Sequence, residues 1–291
     1  MNYGATFAQI RKSRHFSQKD VADGLLSQSM LSRFENQDGQ IEFSVLLALL
    51  DKLHVHPTEF IVLAKNQVFL EEHNFTQRLH AAYYNTTDNQ ILLEEERQKY
   101  YETNDIHHLI NAVRIEATFS KKNGIAYSHL HTDIVEIKKY LISLDSWFVS
   151  EIILYIDLLF LFDSVFIKAQ HSRMMRSLSS LPFGTARRNY LQSAYCHNTT
   201  VLSFERNTLE DVALYLSSFE RTLTKDPRSL TNSIYYSAYE KLLTLKKLFN
   251  DTAFQNLMED IHVLKQYGYD DEYIEIKKFI IKILNCDTSQ I

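Results

Sequence analysis

The stretch Ser17 to Glu35, SQKDVADGLLSQSMLSRFE, constrains this chain more than any other. Ser17 and Ser27 are placed to cap the first turns of two short helices by accepting a backbone hydrogen bond. Ser17-x-x-Asp20 has the spacing of a capping box, with Val21 and Ala22 turned toward a core. Gly24 ends the first of these helices, because glycine readily takes a left-handed cap. The second then carries Leu31 and Phe34 inward and leaves Gln28, Ser29, Ser32 and Arg33 on its other face. Two short helices joined by a tight turn form the unit that enters a groove of DNA. Glutamine pairs with adenine in a bidentate way, serine reaches bases or phosphates, and arginine reaches guanine or the backbone. Gln18 and Ser27, at the heads of the two helices, complete the candidate DNA contacts. The bland alternative is a solvated polar face on a small helical bundle.

Three flanking helices complete a five-helix reader over residues 1–65. One runs from about Thr6 to Arg14, a second from Glu42 to Leu53, and a third from Pro57 to Ala64, where proline suits a first helical position. Arg11 and Glu35 are candidates for a buried pair that joins the first helix to the end of the third. The net charge of −5 looks unfavourable for nucleic acid. Its distribution matters more: Arg11, Lys12, Arg14, Lys19 and Arg33 stand against Asp20 and Asp23 in the reading segment, and the acidic excess falls on residues 66–291.

Downstream, only 6 Gly and 3 Pro in 291 residues, with 45% hydrophobic content, predict an all-α chain. A first helical segment, Gln67 to Tyr84, reads as a stiff connector. Later segments start near Asn89, Asp105, Ala126, Ser146, Ser164, Thr185, Thr208, Thr231, Asp251 and Asp270. That is about one helix per 20 residues, the spacing of helix-pair solenoids, so residues 66–291 are read as a helical repeat domain. Trp147 to Ile167 has the length of a membrane span, but Glu151, Asp157 and Asp163 interrupt it and are costly in lipid, so it reads as a buried helix. The first residues carry no secretory pattern, and the widely separated Cys196 and Cys286 fit a reducing cytoplasm. His107-His108 and His129-x-His131 lack the spacing that puts two imidazoles on one helix face, so no metal is expected. No catalytic or phosphate-cradling motif occurs, which gives no support to an enzyme and implies no cofactor.

The run IRKSRHFSQKDVADGLLSQSMLSRFENQDGQIEFSVLLALLDKLHVHPTEF resembles Cro/repressor-type helix-turn-helix proteins, with LSRFEN in the place of their signature and Gly39 displaced from its usual position. One residue shorter than the general repressor pattern, it is more similar to the Rgg/GadR/MutR type of transcriptional regulators from Gram-positive bacteria. YLISLDSWFVSEIILYIDLLFLF and IYYSAYEKLLTLKKLF, followed by MEDIHVLKQYGY, extend that resemblance downstream. The resemblance implies a tetratricopeptide-like, right-handed repeat domain that forms a homodimer, binds a short hydrophobic signalling peptide in its concave face, and controls binding to a pseudo-palindromic promoter site.

In related peptide sensors an inner-helix asparagine holds the peptide backbone, and the match places Asp157 there; an ionised aspartate accepts but does not donate. Asn198 is a second candidate clamp, and Arg187 or Arg188 can meet a peptide carboxylate or acidic side chain, with Arg188 the chosen candidate. Tyr155 and Phe160 flank Asp157 and either line an apolar groove or fill the core. Gating by pH or a metabolite, and a scaffold that no longer binds DNA, remain the alternatives.

Overall fold

The computed structural model describes residues 3–37, 39–64, 75, 77–79, 86–181, 185–224 and 229–285. They are helices, short 3-10 turns and connecting loops, and no strand occurs among them. Contacts divide the chain into two units, Met1–Leu92 and Leu93–Ile291. The expected connector, Gln67 to Tyr84, and the expected boundary after residue 65 fall on a stretch that lies mostly outside the described residues.

The first unit contains α1 (Tyr3–Ser13), α2 (Gln18–Ala22), α3 (Gln28–Asn36), α4 (Phe43–Lys52) and α5 (Pro57–Leu63). Ser17 Oγ accepts the Asp20 N–H at 3.1 Å, and Ser27 Oγ accepts the Met30 N–H at 3.2 Å, so both serines cap as their positions predict. The Asp20 side chain completes no reciprocal box; it accepts the Ser17 hydroxyl at 2.5 Å instead. Gly24 has φ +71°, the left-handed conformation the turn requires. α1 starts three residues before the expected Thr6, and it crosses the end of α3 closely: a Cβ on Gly4 would lie 1.8 Å from the Phe34 carbonyl oxygen. Phe7, Val21, Leu31, Leu49 and Phe60 meet in one core behind α3.

In the rest of the chain, α6 (Thr86–Thr103), α7 (Ile106–Asn123), α8 (His131–Ser143), α9 (Val149–Asp157), α10 (Ser164–Ser180), α11 (Thr185–Glu205), α12 (Leu209–Leu223), α13 (Leu230–Lys247), α14 (Asp251–Gln266) and α15 (Asp270–Leu284) follow one another. Helix starts fall on the expected residue at Ser164, Thr185, Asp251 and Asp270. The segment expected as one helix from Trp147 to Ile167 is broken. α9 ends at Asp157, a 3-10 turn spans Leu159–Leu161, and Asp163 caps the next helix by accepting the Phe166 N–H at 2.8 Å. The break uses neither glycine nor proline; the capping bond to Asp163 and the packing of Phe162 in the core set it.

The layering follows from which helices touch. The backbones of α9, α11, α13 and α15 approach one another in series, while each is backed by its sequence neighbours α10, α12 and α14. Side chains rather than close backbone contact bridge α10 and α12, as where His171 of α10 meets Ser218 of α12 at 3.0 Å. α9, α11, α13 and α15 thus form one row of the stack, and α10, α12 and α14 the other.

Candidate DNA-reading and ligand-binding sites

On α3, Leu31, Phe34 and Glu35 are buried, while Gln28, Ser29 and Arg33 are exposed and Ser32 is half-exposed. At 100° per residue, Ser29, Arg33 and Asn36 stand most directly opposite the buried face, with Ser32 and Gln28 on one flank and Met30 on the other. Asn36 was not singled out in the sequence, where it reads as part of the LSRFEN signature. Its amide donates to the Ser32 carbonyl at 2.8 Å, which holds it flat on the exposed face. Ser27 is occupied as a cap and shares a 3.0 Å hydrogen bond with Ser29.

The expected pair of Arg11 and Glu35 is present and buried. Nε and Nη2 of Arg11 each lie 2.7 Å from a different oxygen of Glu35, a bidentate arrangement, and Arg11 Nη1 donates to the Phe16 carbonyl. This bonding with Glu35 raises the Arg11 pKa above its usual value. Gln18 joins the network: its amide donates to Glu35 at 2.7 Å, so its side chain is turned along the reader's interior edge. Arg14 donates to the carbonyls of Leu53 and His54. Two of the five cations in the reading segment are thus committed to the fold, and Lys12, Lys19 and Arg33 are exposed. Gly39, although displaced in sequence, still donates its N–H to the Arg33 carbonyl at 3.2 Å and closes the end of α3.

In the second unit, Asp157 stands at the C-terminal end of α9, not in the middle of a helix. Its carboxylate accepts from Arg114 Nη2 at 2.7 Å. The Asp157 side chain keeps 38% of its exposure, yet desolvation pushes its pKa up against the pull of Arg114. Tyr155 lies beside Tyr195 with centroids 6.2 Å apart, and the Phe160 carbonyl accepts from Arg206 at 3.3 Å. α9 and its following turn therefore pack along α11, the helix that carries the exposed Asn198. Two candidates distant in sequence thus lie on neighbouring helices.

Three others are placed differently. Tyr155 is fully buried and packs against Trp147 and Phe162, so it fills the core and cannot line a groove. Phe160 is partly buried, edge-on to Tyr127 and beneath the Lys121 ammonium at 5.5 Å. Arg188 is turned back onto the Leu181 carbonyl at 3.0 Å. Cys196 is buried, and desolvation pushes its thiol up to about 12, which makes it unreactive; Cys286 lies outside the described residues. Among the described residues, no group of His, Cys, Asp and Glu is placed to hold a metal ion, and no helix is long and apolar enough to cross a membrane.

A family model described as the C-terminal domain of the HTH-type transcriptional regulator Rgg matches residues 90–278, and a helix-turn-helix model matches residues 7–60. The chain belongs to the Rgg family. It is accordingly a DNA-binding transcriptional regulator and not an enzyme. Solved structures share the whole Rgg fold. The Streptococcus dysgalactiae SHP pheromone receptor Rgg2 has 21% identity and a TM-score of 0.77 over 96% of this chain and 98% of its own. A Listeria monocytogenes EGD-e protein has 18% identity and a TM-score of 0.79 over 98% and 99%. PrgX in its complex with cCF10 has 14% identity and a TM-score of 0.72 over 97% and 92%. No curated protein matches the chain.

Proposed function

We propose that this Rgg-family regulator is a cytoplasmic homodimer that reads a pseudo-palindromic promoter site and is controlled by a short hydrophobic signalling peptide. The peptide occupies the concave face of the repeat domain, residues 66–291, and changes how the two readers, residues 1–65, are presented to DNA. What supports this reading is that the exposed carboxylate of Asp157 and the exposed amide of Asn198 are carried by α9 and α11, two helices packed against each other. Both side chains accept N–H groups of an extended peptide backbone, and Asn198 also donates to its carbonyls. Phe160 supplies an apolar edge. That Rgg2 is described as a pheromone receptor, and PrgX as a complex with cCF10, supports a signalling ligand here.

At the DNA end, Gln28, Ser29, Ser32 and Arg33 make the reading face, with Gln18 and Ser27 beside it. The test pairs two measurements on the full chain. Gel shifts at fixed salt with the protein's own upstream region should show specific binding that Gln28→Ala and Arg33→Ala each weaken roughly tenfold or more. Calorimetry with peptides encoded beside the gene should show a binder that Asp157→Ala and Asn198→Ala weaken. Specific affinity unchanged in both reader variants removes the reading face. Absence of any peptide binder removes the peptide as the signal.

A further inference from the structure

Resting on the reading of α3 as the recognition helix, we propose that Met30 reads the 5-methyl group of a thymine in the major groove. Met30 keeps 50% of its exposure and stands outside the core that its neighbours Leu31 and Phe34 enter. Its N–H is held by the capping Ser27 hydroxyl at 3.2 Å, which places it in the first turn of α3. The N-terminal residues of a recognition helix are the ones that meet base edges. At 100° per residue, Met30 and Arg33 are about 60° apart with a rise of about 4.5 Å between them, so they share one edge of the helix. Arg33 is among the side chains pointing most directly away from the core, and Met30 is carried toward the groove beside it.

The neighbouring side chains leave Met30 a distinct task. Ser27 and Ser29 share a hydrogen bond at 3.0 Å, and the Asn36 amide lies on the Ser32 carbonyl at 2.8 Å. These short polar groups are tied to the helix itself, whereas Gln28, Met30 and Arg33 are the long side chains that extend from its first two turns. Gln28 and Arg33 match hydrogen-bonding base edges. Met30 matches none of them, because its thioether sulfur is a poor hydrogen-bonding group. It gains on binding only where the DNA offers apolar surface, and among base edges in the major groove that surface is the thymine methyl. An unbranched, polarisable side chain adapts well to a contact of that size.

The experiment uses full-length protein and a library of randomised duplexes, from which rounds of binding select a preferred site. Each thymine of that site is then replaced singly by deoxyuridine, which removes the 5-methyl group and keeps every hydrogen-bonding group. Gel shifts at fixed salt should find a thymine whose replacement weakens binding roughly fourfold, the worth of one buried methyl group. Met30→Ala should bind the thymine site more weakly by at least that factor and no longer distinguish it from the deoxyuridine site, while Met30→Leu keeps part of the preference. The deoxyuridine series on the unaltered protein needs no variant to fold. A site indifferent to every methyl removal, or a methyl preference that Met30→Ala retains, overturns the assignment and leaves α3 as the reader. Selection of no sequence at all overturns the recognition-helix reading as well.

Discussion

Arg11 and Glu35 are the residues on which the reader's integrity turns most directly, because both are buried and each satisfies the other. Removing one leaves an unpaired charge in a dry environment. Arg11→Ala should therefore cost the reader about 3 to 5 kcal/mol, whereas the double change Arg11→Met with Glu35→Leu should cost much less. Urea unfolding followed on the reader's own transition measures both; equal losses in the single and double variants would place the stabilisation elsewhere. Two histidines act on the second unit in a different way. Desolvation among Tyr235 and Tyr239 pushes the His197 imidazole down to about 4, from an ordinary 6.5. His171, hydrogen-bonded to Tyr195 and Ser218, is also lowered, by desolvation first and by Arg221 second. For a base whose folded pKa lies below its unfolded one, the unfolded chain binds the extra proton. Stability is then full above about pH 6.5 and falls as the pH drops toward 4. Each histidine contributes a slope of at most about 1.4 kcal/mol per pH unit. His197→Phe should flatten the acid limb of a stability profile measured by denaturant midpoint between pH 4 and 7; an unchanged slope would show that His197 is already protonated in the fold.

At the level of helices, the reader's cations are partitioned by what each touches. Arg11 and Arg14 bind groups of the fold, so Lys12, Lys19 and Arg33 remain for phosphates. Two readers then neutralise roughly four to six phosphates, and log K against log salt should have a slope of about −4 to −5. Lys19→Ala should flatten that slope without changing sequence preference, as measured by titrations at several salt concentrations; a slope near −10 would mean that another surface touches DNA. This partition also marks what the sequence could and could not convey. The caps Ser17 and Ser27, the turn at Gly24 and the buried Arg11–Glu35 pair were legible because each is a local rule or a charge with an obvious partner. The starts at Ser164, Thr185, Asp251 and Asp270 were legible because short polar residues precede or open apolar stretches there. The break after Asp157 was not, since Asp163 caps a helix within a run of leucines and phenylalanines that has no glycine or proline. Nor was the fate of Tyr155 or Arg188. Which face of a helix stays open depends on the neighbours packed around it, and adjacent arginines differ by 100° in direction although the sequence gives them one character.

Across the molecule, the small reading face sets a requirement that one copy does not meet. α3 presents only a few side chains to DNA, and the exposed cations are few, so one reader gives weak and poorly discriminating binding. Joining two readers through the repeat domain makes the second contact intramolecular and raises the effective affinity without adding residues. The geometry follows from the DNA: two recognition helices on one face of the duplex are about 34 to 36 Å apart, one helical turn. Under the proposed function, a peptide bound to the repeat domain controls transcription by changing how well that separation is maintained, with no contact to DNA of its own. Inserting about 5 base pairs between the half-sites rotates one reader to the far side of the helix and should abolish tight binding, whereas about 10 base pairs restores the facing and should recover part of it. Gel shifts at constant salt across this spacing series, run with and without the binding peptide, read both steps at once. Equal affinity at both spacings would show that the readers act independently, and a peptide that changes affinity equally at every spacing would show that it acts on each reader singly rather than on the distance between them.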